Sequence, residues 1–244
     1  MIETIRSENP SIRHIAVLIP AHDEEQLLPR CIRSVLRAAH ALPAGVMADI
    51  VVAVDSSTDR TREIADSMLG AHGIAITTNA SSVGVARAVA AETALARYQG
   101  PLRSCWLANT DADCEVPSDW LVDQLQLANN GAHAVAGIVD VDDFSEHSIH
   151  VEPRFRETYL IHPDGTHPHV HGANIGMRAD VYLRAGGWSS LTTAEDHDLW
   201  GRLSLFTCRK HAVAGLRVLT SGRRVGRAPH GFAGALASHN EAAA

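Results

Sequence analysis

Five short apolar runs punctuate the first 139 residues, and the first four are each followed by a segment with helical spacing of apolar residues. They are Ile15–Ile19, Ile50–Val54, Ile74–Thr77, Cys105–Ala108 and Val135–Val139. Continuous apolar runs of this length suit strands buried on both faces. Between them, Cys31, Ile32, Val35, Leu36 and Ala39 fall on one helical face, with Pro29 in the first turn. Ile64, Ala65, Met68 and Leu69 form a second such stripe, capped by Ser57 or Thr58 and stopped by Gly70. A third helix spans about 84–98, and Pro117 opens a fourth that closes at Asn130-Gly131. Strands alternating with helices imply an α/β fold with a mostly parallel central sheet.

Beyond Val139 the pattern loosens, and residues 140–170 read as irregular. Order returns at Asn174–Met177, Asp180–Ala185 and Asp196–Leu205, and the tail from Ser238 is expected to fray. A length of 244 residues fits one domain, 1–244, with no room for a second catalytic or anchoring unit. Within it, residues 15–139 form one half and 140–230 the other.

Composition excludes several classes. With 28 acids against 21 bases, the net charge of −7 disfavours a nucleic-acid coat. No apolar run reaches the ~20 residues of a membrane helix, so no integral membrane segment is expected. The N-terminus lacks the apolar core of a signal peptide. Four cysteines without a Cys-x-x-Cys spacing read as reduced thiols, and a cytoplasmic protein is expected, free or peripheral to a membrane.

The acids fall where ligands bind in open α/β sheets, at the carboxyl ends of strands. Asp23 follows the first run, Asp55 ends the second, and Asp111 and Asp113 follow the fourth. One such acid is ordinarily a helix cap or turn former; four at one rim point to a site. If the fourth strand persists, Asp111 and Asp113 face the same side, and two such carboxylates call for a cation. Hard oxygen ligands suit Mg²⁺ or Mn²⁺.

These motifs, in order, resemble family-2 glycosyltransferases of the GT-A fold over roughly residues 15–203. The carrying segments are Ile19-Pro20-Ala21-His22-Asp23-Glu24-Glu25, Val54-Asp55-Ser56-Ser57-Thr58-Asp59-Arg60-Thr61, Asn79 with Gly84 to Arg87, and Asp111-Ala112-Asp113. Gly172-Ala173-Asn174, Gly186-Gly187-Trp188 and Glu195-Asp196-His197-Asp198-Leu199 complete the set. The turn at Asp55-Ser56-Ser57 is one residue shorter than the family's usual Asp-Asp/Asn-Gly-Ser.

The resemblance implies a Rossmann-like nucleotide-binding half and an acceptor-binding C-terminal part. It implies transfer of a sugar, of the hexosyl class, from a UDP- or GDP-sugar to a hydroxyl acceptor of unspecified identity. Pro20, Ala21, His22, Asp23, Glu24, Asp55 and Arg87 would hold the nucleotide. Asp111 would meet ribose or metal, with Ala112 beside it, and Asp113 would bind the metal at the diphosphate. Gly172 and Ala173 would line the sugar and acceptor pocket. Asp196 would be the base of an inverting transfer, with Glu195 positioning the acceptor or the base. The same acids after Thr192 and Thr193 also suit a plain helix start. His230 is a candidate third metal ligand, with His211 an edge residue, and Arg223 and Arg224 are placed to close over the diphosphate.

Other readings stay open at this stage. A retaining transferase acting on a small phosphorylated acid would show similar motifs. A sugar nucleotidyltransferase would usually open with a Gly-rich basic loop, which Pro20–Glu25 is not. A non-catalytic nucleotide-sugar binder would be expected to lack Asp113 or Asp196, and both are present. His167, His169 and His171 share a face if extended, which permits either a polar lining or a zinc site of a hydrolase. Oligomeric state has no signature here.

Overall fold

The apolar runs become a seven-stranded sheet. The computed structural model describes residues 11–227 and 231–241. Its strands are β1 (His14–Ala21), β2 (Met47–Asp55), β3 (Gly73–Thr78), β4 (Cys105–Asn109), β5 (Ala134–Val141), β6 (Ile175–Arg178) and β7 (Lys210–Thr220). The order across the sheet is β3-β2-β1-β4-β6-β5-β7. Only β6 runs against the others among the described strands.

Alternate residues of β1 feed two cores, as the period of two requires. Ile15, Val17 and Ile19 join the layer built by α1 (Leu28–His40), α2 (Thr61–Leu69) and α4 (Trp120–Asn129). Ala16 and Leu18 join the opposite layer, with α3 (Val83–Arg97), α6 (Ala179–Arg184) and α7 (Glu195–Leu203). Burial on both faces explains why the strand has no polar alternation.

The chain leaves β1 outward to β2 and β3, then returns to β4 on the other side of β1. That reversal opens a crevice at the carboxyl ends of β1 and β4, where such sheets bind ligands. Asn174 locks the far side. Its Nδ2 donates to Ile138 O and Leu216 O at 2.9 Å each, and its Oδ1 accepts from Trp120 Nε1 at 3.0 Å.

Several local expectations are corrected. Residues 140–170 are not wholly irregular, because α5 (Val151–Thr158) packs Phe155 and Tyr159 against α8 (Phe232–Glu241) and its surroundings. The tail from Ser238 is helical through Glu241. Neither Ser57 nor Thr58 caps α2; the helix starts at Thr61, whose N–H is taken by Asp59 at 2.9 Å. Ser57 instead accepts the Asp23 N–H at 3.0 Å, and Asp23 Oδ1 accepts the Thr58 N–H at 2.7 Å, so this loop serves the crevice. Pro117 lies in the turn before α4, which begins at Trp120. Neither Thr192 nor Thr193 caps α7, which begins after Ala194.

Candidate active site

The crevice is a cavity of about 330 Å³ floored by Pro20, Ala21 and His22 from β1 and its loop. Asp55 closes one wall. Its Oδ1 accepts the N–H groups of Ala80 and Ser81 at 2.8 and 3.1 Å, and its Oδ2 accepts that of Ser82 at 2.9 Å. Among the described residues one acceptor position on Oδ2 stays open. Asp55 thus shapes the Ala80–Ser82 loop, which reaches the pocket and starts α3. His22 Nδ1 donates to Asp55 O at 2.7 Å.

Backbone strain collects at this rim. All four non-glycine residues with left-handed φ among those described, Asp23, Ser56, Ser81 and Ala194, border the crevice or start α7. Such conformations cost about 1–2 kcal/mol each and persist where surrounding bonds enforce them.

Asp111 and Asp113 do come together, but not along a strand. β4 ends at Asn109, and the two acids lie in a turn closed by Cys114 N–H to Asp111 O at 3.0 Å. The turn brings a carboxylate oxygen of each, with Cys114 Sγ, within 4.8 Å of one another. Burial raises Asp113 to about 6, against the pull of Arg223. Burial also holds the Cys114 thiol well above its usual range, so it stays neutral. A hard divalent cation therefore fits the two carboxylates and not the thiol. Arg223 already touches this pair: its Nη2 donates to Glu24 Oε1 at 2.6 Å and to Asp113 Oδ2 at 2.7 Å.

Arg87 lies 2% exposed between the two halves of the site. Nη2 donates to Asp111 Oδ1 at 2.6 Å and Nε to Glu195 Oε1 at 3.0 Å. The guanidinium sits over Trp188, 5.2 Å from the ring centroid. Arg87 does not line the pocket; it braces the residues that do. Two glycines make room for this packing. A Cβ on Gly172 would stand 2.3 Å from Arg87 Nη2, and one on Gly84 would stand 2.1 Å from Ser189 O. Gly84 therefore lets the loop before α7 lie against the start of α3, where Gly84 N–H donates to Leu191 O at 3.1 Å.

That loop delivers the two acids of α7 in different states. Glu195 is buried and bound to Arg87, with its pKa raised by burial. Asp196 is half-buried, and its Oδ2 accepts the Gly172 N–H at 2.8 Å. Of the two, only Asp196 is open to solvent.

The three histidines form a ladder rather than a metal site. His167, His169 and His171 stack at 5.8 and 5.9 Å, with Tyr159 flat on His169 at 3.9 Å. Their Nε2 atoms go separately to Ala136 O, Leu160 O and the Tyr159 hydroxyl. Tyr159 accepts the Val139 N–H at 3.0 Å, so its own proton goes to His171 Nε2 at 2.8 Å. Burial lowers His171 to about 3, which keeps the ring neutral, and a neutral ring that accepts from Tyr159 at Nε2 carries its proton on Nδ1.

Of the residues expected at the site, Pro20, Ala21, His22, Glu24, Asp55, Asp111, Ala112 and Asp113 line the cavity. Asp23, Arg87, Gly172, Ala173, Glu195 and Asp196 stand behind or beside it. His230 lies outside the described residues, and His211 sits near the start of β7 as an edge residue. Ser81, Ser82 and Phe232 also line the cavity and were not singled out from sequence, and Thr192, read there only as a helix start, lines it too. Asn79 and Gly84 bracket the two serines and were the only signal for them.

A doubly covered, mostly parallel sheet with an acidic pair at its reversal is the GT-A arrangement of glycosyltransferases. The chain belongs to glycosyl transferase family 2, whose sequence profile matches residues 16–184. Among solved structures, S. aureus TarS 1–349 in complex with UDP-GlcNAc superposes with a TM-score of 0.65 at 14% identity, over 88% of this chain and 60% of that one. The mannosyltransferase PcManGT from Pyrobaculum calidifontis, in complex with GDP-Man and Mn²⁺, gives 0.64 at 18%, over 90% and 60%. GalNAc-T7 with UDP, GalNAc and Mn²⁺ gives 0.64 at 16%, over 87% and 44%. This chain spans about 60% of the length of the first two. At these identities the likeness is one of fold. No curated protein matches the sequence. No helix among the described residues is long and apolar enough to cross a membrane.

Proposed function

We propose that this chain transfers a hexosyl group, with inversion, from a UDP- or GDP-sugar to an acceptor hydroxyl. Residues 15–139 form the donor half and residues 140–230 the acceptor half. The observation that carries the reading is the Asp111–Arg87–Glu195 bridge. It braces the acidic turn at the donor cavity against the helix that presents Asp196.

In this reading Pro20–Glu24 and Asp55 receive the base and ribose, and Asp55 keeps one acceptor position for a base N–H. Asp111 and Asp113 hold Mg²⁺ or Mn²⁺, which when bound neutralises charge on the departing nucleoside diphosphate. Asp196 takes the proton from the acceptor hydroxyl as its oxygen attacks the anomeric carbon. The Gly172 N–H holds the carboxylate in place for that task. Glu195 positions α7 through Arg87. The Tyr159–His171 pair lines the acceptor side.

The support is the family membership together with the separation of roles between a buried Glu195 and an open Asp196. The test is a panel of UDP- and GDP-sugars with Mg²⁺, Mn²⁺ or chelator, followed by NMR of the product. A metal-dependent turnover with inverted anomer is expected. A retained anomer would replace Asp196 as base, and release of pyrophosphate from a sugar phosphate and a nucleoside triphosphate would replace the reaction class.

A further inference from the structure

The segment after β7 is pinned at one end and reaches into the acidic pair at the other. Gly222 donates its N–H to Asp142 Oδ1 at 2.8 Å, and its carbonyl accepts from His147 Nε2 at 2.8 Å. A Cβ on Gly222 would stand 1.7 Å from Asp143 O, so the pin requires glycine. The other oxygen of Asp142 accepts from Arg30 Nη1 at 2.7 Å, and Arg30 Nη2 donates to Asp113 O at 3.0 Å. One carboxylate thus ties the segment to the turn that carries Asp113. From this pin Arg223 enters the crevice, 18% exposed, and spans Glu24 and Asp113. Arg224, next in sequence, does not line the cavity: among the described residues it is bound through its backbone N–H, to Glu146, and its side chain is exposed, so of the two arginines expected to close over the diphosphate only Arg223 enters the crevice.

We propose that Arg223 is an internal counter-cation that competes with the divalent metal for Asp113 and, once displaced, grips the diphosphate of the donor. The inference rests on the donor and metal reading above. An oxygen of Asp113 that holds a guanidinium N–H at 2.7 Å cannot at the same time receive a metal ion from that direction. A metal that takes Asp113 through Oδ2 from that side must therefore release Arg223. The released guanidinium stays tethered to Gly222, inside a cavity that would then hold a diphosphate, the anion its planar fork suits best. Competition lowers the affinity for metal alone, because the open form of the pair is only a fraction of the population. The same residue raises the affinity for donor, so metal and donor bind with positive coupling.

The experiment is calorimetric titration of Mn²⁺ alone, then of UDP or GDP at saturating Mn²⁺, on wild type, Arg223→Gln and Arg224→Gln. Arg223→Gln is expected to bind Mn²⁺ alone about tenfold more tightly and nucleotide about tenfold more weakly, the scale of one charge-assisted hydrogen bond. Arg224→Gln removes the same charge without the contact and is expected to stay within about twofold of wild type in both titrations. An unchanged or weaker Mn²⁺ affinity in Arg223→Gln overturns the proposal, as does equal behaviour of the two variants. If Arg223→Gln fails to fold by circular dichroism, Arg223→Lys replaces it. A single ammonium bridges two carboxylates less well, so tighter Mn²⁺ binding is again expected, and wild-type values in both titrations overturn the idea. Wild type that binds Mn²⁺ with neither UDP nor GDP would remove the donor reading as well. Wild type that binds nucleotide normally, with no change on substituting Arg223, removes only the role of the arginine.

Discussion

The backbone N–H of Gly172 holds Asp196 Oδ2 at 2.8 Å while the bare Cα of the same glycine lies against Arg87. One residue thus aims the Asp196 carboxylate, the proposed base, and admits the brace behind it. In Gly172→Ala the new methyl carbon would meet Arg87 Nη2 at 2.3 Å. Either the Arg87 guanidinium or the Gly172 backbone must give, which loosens the brace or the N–H that aims Asp196. The expected result is a loss of about 1–3 kcal/mol in denaturant unfolding, the usual cost of overpacking. Turnover should fall more than nucleotide affinity, which steady-state kinetics beside UDP or GDP titration will separate.

Asp196 and Glu195 are neighbours with opposite expected phenotypes. Asp196→Asn keeps the shape and the Gly172 contact but cannot take a proton. Its kcat should fall about 10²–10⁴-fold while nucleotide binding is retained. Glu195→Gln leaves buried Arg87 with one charged partner fewer, so it should cost about 2 kcal/mol of stability. A Glu195→Gln enzyme as dead as Asp196→Asn, yet fully stable, would move the base to Glu195.

The parts of this architecture that depend on short-range patterns were readable before folding. The buried strands announce themselves as unbroken apolar runs because both faces of β1 meet helices. The acids at the strand ends mark the crevice. What stayed hidden depends on distant partners. The four residues of β6 carry no signal of direction, and its antiparallel course comes from pairing with β4 and β5. Asp111 and Asp113 were paired for the wrong reason, since a turn and not a strand joins them. Arg87 read as a nucleotide contact because its partner Glu195 lies 108 positions away. The ladder of His167, His169 and His171 shows the same limit. Spacing placed the rings on one face, but only Tyr159, Ala136 and Leu160 decide where each nitrogen goes.

Asp113 is the residue whose removal should erase the response to metal. Asp113→Asn keeps the size but loses the charge. Mn²⁺ in wild type should raise stability by about 2.7 kcal/mol at a hundredfold excess over its Kd, by simple linkage. The gain should vanish in Asp113→Asn and on adding chelator to wild type. Thermal melts with and without Mn²⁺ measure it, and an undiminished shift in the variant would place the cation elsewhere.

His171 ties stability to pH, and the direction follows from its neutral state. Folded, the imidazole sits at about 3 because burial disfavours its charge. Unfolded, it titrates near ~6.5. The stability due to the neutral ring is complete above pH ~6.5 and is lost as pH falls toward 3, since only the unfolded chain then takes up the proton. The full slope for one group is about 1.4 kcal/mol per pH unit, so the loss due to His171 between pH 6.5 and 5 is at most about 2 kcal/mol. His14, His133, His167 and His169 are lowered for the same first reason and steepen the fall. His171→Gln keeps an acceptor for the Tyr159 hydroxyl and has no proton to gain. Denaturant unfolding at pH 5 and pH 7.5 should therefore show a smaller pH penalty in the variant than in wild type, and equal penalties would mean that His171 is already charged in the fold.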